Sequence, residues 1–143
     1  RFIELATEIN RKMPEYVVSR VQDLLNQKGK AIRGSKILVL GVAYKKDVDD
    51  VRESPALDVI EELQGKGAKV SYSDPFIREI TTEHGCRMKS VVLNPGALRR
   101  ADMVVVLTDH SNINYRMVAK NARVVFDSRN VFKNHSGKQI ISL

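Results

Sequence analysis

Apolar residues recur every three or four positions through the first part of the chain, at Leu5, Ile9, Val17, Val21 and Leu24. This spacing predicts an amphipathic helix over residues 2–28. Pro14 falls inside it. Either two helices abut there, with Pro14 in the first turn of the second, or one long helix kinks. Gly29 is a stop signal. The apolar stripe must bury against something, and an upstream domain or a partner chain is the expected cover.

After residue 30 the rhythm changes. "KILVLGVA" (36–43) is a continuous apolar run, as in strands covered on both faces. Ser54 and Pro55 read as an N-cap and first helical residue, followed by Leu57, Ile60 and Leu63 on one face, with Gly65 and Gly67 as the stop. "AKVSYSDP" (68–75) alternates like a strand, and Asp74-Pro75 ends it. "REITTEHG" is ambiguous. Asn94-Pro95 opens a helix through "GALRRA", "DMVVVLTD" (102–109) is a third strand, "NINYRMVAKN" a further helix and "RVVFDSRN" (123–130) a fourth strand. From Val131 the chain is polar and predicts a weakly ordered tail. The alternation of strand and helix predicts an α/β fold: a Rossmann-like, doubly wound, mostly parallel sheet with helices on both faces, preceded by a long N-terminal helix. In such sheets ligands bind beyond the carboxyl ends of the strands. Four polar loops lie there, at residues 44–52, 73–76, 108–112 and 127–130.

Composition narrows the class. The 143 residues suffice for one domain with a real core; 43% are hydrophobic and 29% charged. No apolar run approaches the roughly 20 residues of a membrane span, and no secretory signal is visible. Arg1 rather than Met opens the chain inside a helical pattern, so a piece of a longer protein is expected. The single Cys86 excludes an internal disulfide framework and fits a reducing cytosol. One cysteine and three scattered histidines lack metal-ligand spacing. The net charge of +7 points to an anionic partner. Cations are interspersed with acids and aromatics are only 6%, which argues against nucleic acid.

The loop after the first strand, "GVAYKKDVDDVRESP", lacks the G-x-G-x-x-G cradle for a dinucleotide pyrophosphate. A phosphate has Lys45, Lys46 and Arg52 available to it near the helix start. The competing reading is that these cations are solvated and pair with Asp47, Asp49 and Asp50. Asp50 and Arg52, two apart, are not helix neighbours; Asp50 would hold the loop through backbone N–H groups, leaving Arg52 to reach out. Arg129 either shares a ligand with this loop or pairs with Asp127. Tyr44 either stacks on a base or packs over the sheet end. His110 is read as a capping or solvent-facing residue ahead of a general base or ligand donor, and Cys86 as a structural thiol. A phosphorylated receiver domain is disfavoured, because it needs acids at the end of the first strand, where this chain has "VLGVAY".

The 35 residues "GVAYKKDVDDVRESPALDVIEELQGKGAKVSYSDP", with "LTDHSNINY" and "FDSRNVF" further on, resemble the C-terminal, UDP-binding domain of the UDP-glucose/GDP-mannose dehydrogenase family. "LATEINRKMPEYVV" resembles the end of that family's central helix. The wording "AYKKDVDD" with "TDHS" looks most like the UDP-N-acetylglucosamine 6-dehydrogenases of polysaccharide pathways; UDP-glucose and UDP-N-acetylmannosamine dehydrogenases are the alternative, and a free-standing, non-catalytic UDP-binding module a further one. The resemblance implies three segments: residues 1–30 as linker and dimerisation helix, 31–132 as UDP-binding domain and 133–143 as polar tail. It implies that Tyr44 and Lys45 contact the UDP of a UDP-sugar, that Arg129 or its neighbour Asn130 lies near the uridine diphosphate, that Arg52 reaches an NAD cofactor held by another domain, and that Asp50 and Glu53 shape the loop. The family oxidises a sugar C6 alcohol twice to a carboxylate through a cysteine thioester. Cys86 does not match that motif, so no catalytic residue is expected in this chain. A cytoplasmic homodimer or larger homo-oligomer is expected.

Overall fold

The computed structural model describes residues 2–52, 54–133 and 137–142, with side chains from Met13 onward. One helix, α1 (Phe2–Gln27), runs unbroken through Pro14. Strand β1 (Lys36–Leu40), helix α2 (Pro55–Gly65) and strand β2 (Lys69–Ser73) follow. The hairpin of β3 (Glu79–Thr81) and β4 (Arg87–Lys89) comes next, then α3 (Pro95–Arg100), β5 (Met103–Val106), α4 (Tyr115–Asn121), β6 (Val125–Asp127) and β7 (Ile140–Ser142).

The main sheet has the order β2-β1-β5-β6-β7 and all its pairings are parallel. Side-chain alternation sorts its residues onto two faces. Ile37, Val39, Met103, Val105 and Phe126 pack with α1 and α2. Leu38, Leu40, Val104, Val106 and Val125 pack with α3 and α4. Both faces are apolar, which is why these strands read as continuous hydrophobic runs.

Local chemistry fixes the element ends. Ser54 caps α2, its Oγ accepting from the Ala56 N–H at 3.3 Å, with Pro55 as first helical residue. At the other end, the Gly67 N–H donates to Gln64 O and the Ala68 N–H to Leu63 O, with Gly67 at φ 91°. That is a Schellman stop, which needs a left-handed residue. Asn94 and Asn114 cap α3 and α4 through the Ala97 and Met117 N–H groups.

Three expectations need correcting. The stripe of α1 does not wait for an upstream domain: Val17, Val18, Val21, Leu24 and Leu25 are buried in this chain's own core beside α2. Each such side chain contributes about 1.5–3 kcal/mol on burial. Leu5 and Ile9 lie outside the described side chains. The ambiguous segment after Pro75 forms the β3–β4 hairpin, with Ile80 buried against the α1/α2 face; three-residue strands are too short to show a period. The polar tail carries β7, which extends the sheet beyond β6 through Ile140 and Ile141.

Gly41 joins three strand ends. Its N–H donates to Ser73 O, and the N–H groups of Leu107 and Thr108 converge on Leu40 O beside it. Its φ is 84°, and a Cβ there would lie 2.5 Å from Thr108 O and 2.6 Å from Thr108 Cβ. Gly41→Ala should therefore lower stability in urea unfolding by about 2–3 kcal/mol. An unchanged midpoint would show that the loop after β5 yields freely.

Candidate functional site

β1 has β2 on one side and β5 on the other. The chain leaves β1 toward β2 and then crosses back to β5, so β1 is the switch point of the sheet, and a crevice at such a point is where open α/β sheets bind ligands. Here the loops after β1 and β5 are joined to each other, Asp47 bonding His110 and Ser111.

A buried carboxylate ties the crevice together. Asp74, at the end of β2, is only 4% exposed. Its Oδ2 accepts from the Val42 and Ala43 N–H groups at 2.8 and 3.2 Å. Its Oδ1 accepts from the Phe76 and Ile77 N–H groups at 2.8 and 3.2 Å. His110, wholly buried after β5, lies 2.9 Å from Oδ2 through Nε2. The other ring nitrogen, Nδ1, accepts the Asp47 N–H at 2.8 Å. Its lone pair is used there, so the ring proton sits on Nε2 and is donated to Asp74. The Phe76 ring lies 4.8 Å from the imidazole, and Tyr115 Oη donates to His110 O at 2.8 Å. Burial, then the nearby Asp109, Asp127 and Asp47, push the Tyr115 phenol up, which keeps it protonated as that donor.

The loop between β1 and α2 is shaped by its own acids. The Tyr44 N–H donates to Asp50 O at 2.6 Å. Asp47 sits at φ 58°, a left-handed conformation uncommon outside glycine. Its carboxylate accepts from the Ser111 N–H at 2.7 Å and Ser111 Oγ at 2.6 Å. Asp50 takes the Arg52 N–H on Oδ1 and the guanidinium on both oxygens, at 3.1 Å each. Asp50 thus holds the turn, as its type and place suggest. Arg52 remains exposed, but its guanidinium forks onto Asp50 rather than being released by it.

A cavity of about 140 Å³ opens between this loop and α1. Tyr44 and Arg129 both line it, along with Ser54, Thr108, Ser128 and Met13 of α1. Arg129 lies at the same sheet end as the first loop, as expected, with β5 between β1 and β6, which are roughly 10 Å apart. Both residues line the one cavity. Arg129 does not pair with Asp127, whose buried carboxylate is filled by the Arg129 and Phe132 N–H groups. Instead Arg129 Nη2 approaches Asp109 Oδ1 at 3.6 Å. Tyr44 is 56% exposed. Lys45 and Arg52 are exposed and are not among the residues lining this cavity. Glu53 lies outside the described residues.

His110 is neither a cap nor solvent-facing. Asp74 and Thr108 were not singled out as site residues, and Asp47 was read only as a partner of the loop cations; for Asp74, Thr108 and His110 the signal was position, at the ends of β2 and β5. Cys86 is exposed in the β3–β4 turn, away from the crevice. Among the described residues, Asp58, Glu61 and Glu83 group carboxylates at metal-binding spacing, on the surface of α2 and the hairpin. No helix among the described residues is long and apolar enough to cross a membrane.

Asp47's carboxyl lies below the ordinary range, mainly because the Ser111 hydroxyl and then the Ser111 N–H stabilise its charged form. A depressed carboxyl contributes stability above about pH 4, lost as pH falls through its folded value. Ser111→Ala removes the larger cause. The Asp47 carboxyl titration, followed by 13C NMR, should shift upward toward the ordinary aspartate value; an unmoved midpoint would mean the backbone N–H alone sets it.

A family profile described as "UDP-glucose/GDP-mannose dehydrogenase family, UDP binding domain" matches residues 38–134. A UDP-N-acetyl-D-mannosamine dehydrogenase of Methanococcus maripaludis is 33% identical over 97% of this chain and 32% of its own length. The UDP-glucose 6-dehydrogenase TuaD of Bacillus subtilis is 30% identical over 92% of this chain and 30% of its own. The UDP-D-ManNAc dehydrogenase structure from Pyrococcus horikoshii superposes with a TM-score of 0.79 at 26% identity, over 98% of this chain and 32% of that one. The chain thus spans about a third of the length of these relatives. They are named for N-acetylmannosamine and glucose sugars, so the alternative sugars drawn from the resemblance fit better than N-acetylglucosamine. With that match, and the crevice between β1 and β5 in place, the chain belongs to the UDP-glucose/GDP-mannose dehydrogenase family and carries its UDP-binding domain.

Proposed function

We propose that this chain is the nucleotide-sugar-binding part of an NAD-dependent UDP-sugar 6-dehydrogenase, with UDP-N-acetylmannosamine as the favoured substrate. The cavity shared by Tyr44 and Arg129 at the carboxyl ends of β1 and β6 is the observation that carries this reading. Its lining includes an aromatic ring and a cation, while the Ser54 and Thr108 hydroxyls there donate to Ala43 O and that of Ser128 to Val106 O. A uridine diphosphate needs those groups: a flat surface for the base and fixed charge for the phosphates. We assign the exposed Lys45, next to Tyr44 in the chain, to a phosphate leaving the cavity.

The chain's own fit to NAD is narrow. The glycine after β1 is filled by Thr108, so its missing side chain admits a neighbouring loop and not a pyrophosphate. Arg52 is the residue we assign to NAD, and it would exchange Asp50 for the cofactor when the two domains of a complete enzyme close. NAD, when bound, supplies the hydride acceptor. The catalytic cysteine is assigned to a part of the enzyme beyond this chain, since Cys86 lies in the β3–β4 turn. Such an enzyme would work in the cytoplasm, as a homodimer or larger homo-oligomer.

Calorimetric titration of this chain tests the reading. UDP and UDP-N-acetylmannosamine should bind, and NAD should give no heat. Lys45→Ala and Arg129→Ala should each weaken UDP about tenfold, as expected for one lost charge-assisted contact. Binding of NAD without UDP would contradict the assignment, and equal affinity for all UDP-sugars would place sugar selection elsewhere.

A further inference from the structure

We infer that His110 is a positioning residue for nucleotide binding, fixing the loop of residues 41–54 by accepting the Asp47 N–H on Nδ1 while its Nε2–H is anchored on Asp74. The inference rests on the reading that this loop binds a uridine diphosphate.

The loop is long, polar and exposed from Tyr44 to Asp47. Left to itself it would sample many conformations, and ordering it would cost affinity. Its stem is held by Asp74, which takes the Val42 and Ala43 N–H groups. Its far end is closed by Asp50, which accepts from Tyr44 N through its carbonyl and from Arg52 through its carboxylate. The middle packs Val48 and Val51 partly against the core, and among the described residues its polar ties are those of Asp47: the N–H to His110 and the carboxylate to Ser111. Asp47 is also where the backbone turns left-handed, which persists only where the surroundings over-determine it. Lys45 lies two residues before it.

Histidine suits this task for a chemical reason. A rigid ring can accept on one side and donate on the other, so one residue passes the fixed position of Asp74 to Asp47. The ring is wholly buried, its face is covered by Phe76, and its carbonyl is held by Tyr115. Both nitrogens are engaged, which removes His110 from direct contact with a ligand and from general-base work.

Two substitutions separate positioning from simple support of the fold. In His110→Asn the side-chain oxygen can take the place of Nδ1 and accept from Asp47, but the link to Asp74 is lost. In His110→Gln the amide N–H can reach Asp74, but Asp47 loses its acceptor. Thermal unfolding should show both destabilised. UDP calorimetry should show His110→Asn within about threefold of the unsubstituted chain and His110→Gln weaker by about tenfold or more. Equal UDP affinities in both variants, or the reverse order, would overturn the inference while leaving the UDP site standing. No UDP binding by the unsubstituted chain would overturn the nucleotide reading and this inference with it. Should either variant fail to fold, imidazole 15N NMR of the unsubstituted chain decides: a proton on Nε2 is required, and a proton on Nδ1 rules out the Asp47 bond.

Discussion

The structure turns on one buried carboxylate. Removing a charged group from water costs several kcal/mol unless donors replace the water. Asp74 is given five: the N–H groups of Val42, Ala43, Phe76 and Ile77, and His110 Nε2. These donors come from the ends of β1, β2 and β5. Satisfying one charge therefore forces three loops into a single arrangement, and none can move without leaving that charge or a backbone N–H unpaired. The cost of burying Asp74 is the reason the crevice has a defined shape.

The same constraint explains what the crevice is built to hold. In a dinucleotide fold the first glycine loop lets backbone approach a pyrophosphate. Here the loop after β1 turns at Gly41, but Thr108 occupies the space a ligand would need, and Thr108 Oγ1 donates to Ala43 O at 2.8 Å. The first turn is thus closed by protein. Opening appears further along, between Tyr44 and Arg129, where α1 supplies the third wall. A helix that the sequence suggests is a linker also lines this cavity through Met13, Pro14 and Val17, because its stripe from Val17 packs on the same sheet face as α2.

Much of this was legible from residue patterns, and the limits have physical causes. Continuous apolar runs identified β1, β5 and β6 because both sheet faces are covered. Asn and Ser caps followed by proline marked α2 and α3. The motifs around Tyr44 and Asp50 led to the right family. Three things were hidden. Short strands such as β3, β4 and β7 gain their pairing from distant residues, so no local period announces them. The burial of α1 against its own chain depends on where the sheet's outer face lies. The Asp74–His110–Asp47 network joins residues 36 and 63 apart in sequence, and only the convergence of strand ends brings them together. The sugar reading followed loop wording, and this chain spans only about a third of the relatives whose names carry the sugar.

A crystal structure of this chain with UDP would show the site itself. Uridine diphosphate should lie between Tyr44 and Arg129, with a phosphate within reach of Lys45 and the His110–Asp47 and His110–Asp74 bonds intact. UDP bound elsewhere on the sheet, or bound in the cavity only after residues 41–54 have rearranged and left His110, would contradict this placement.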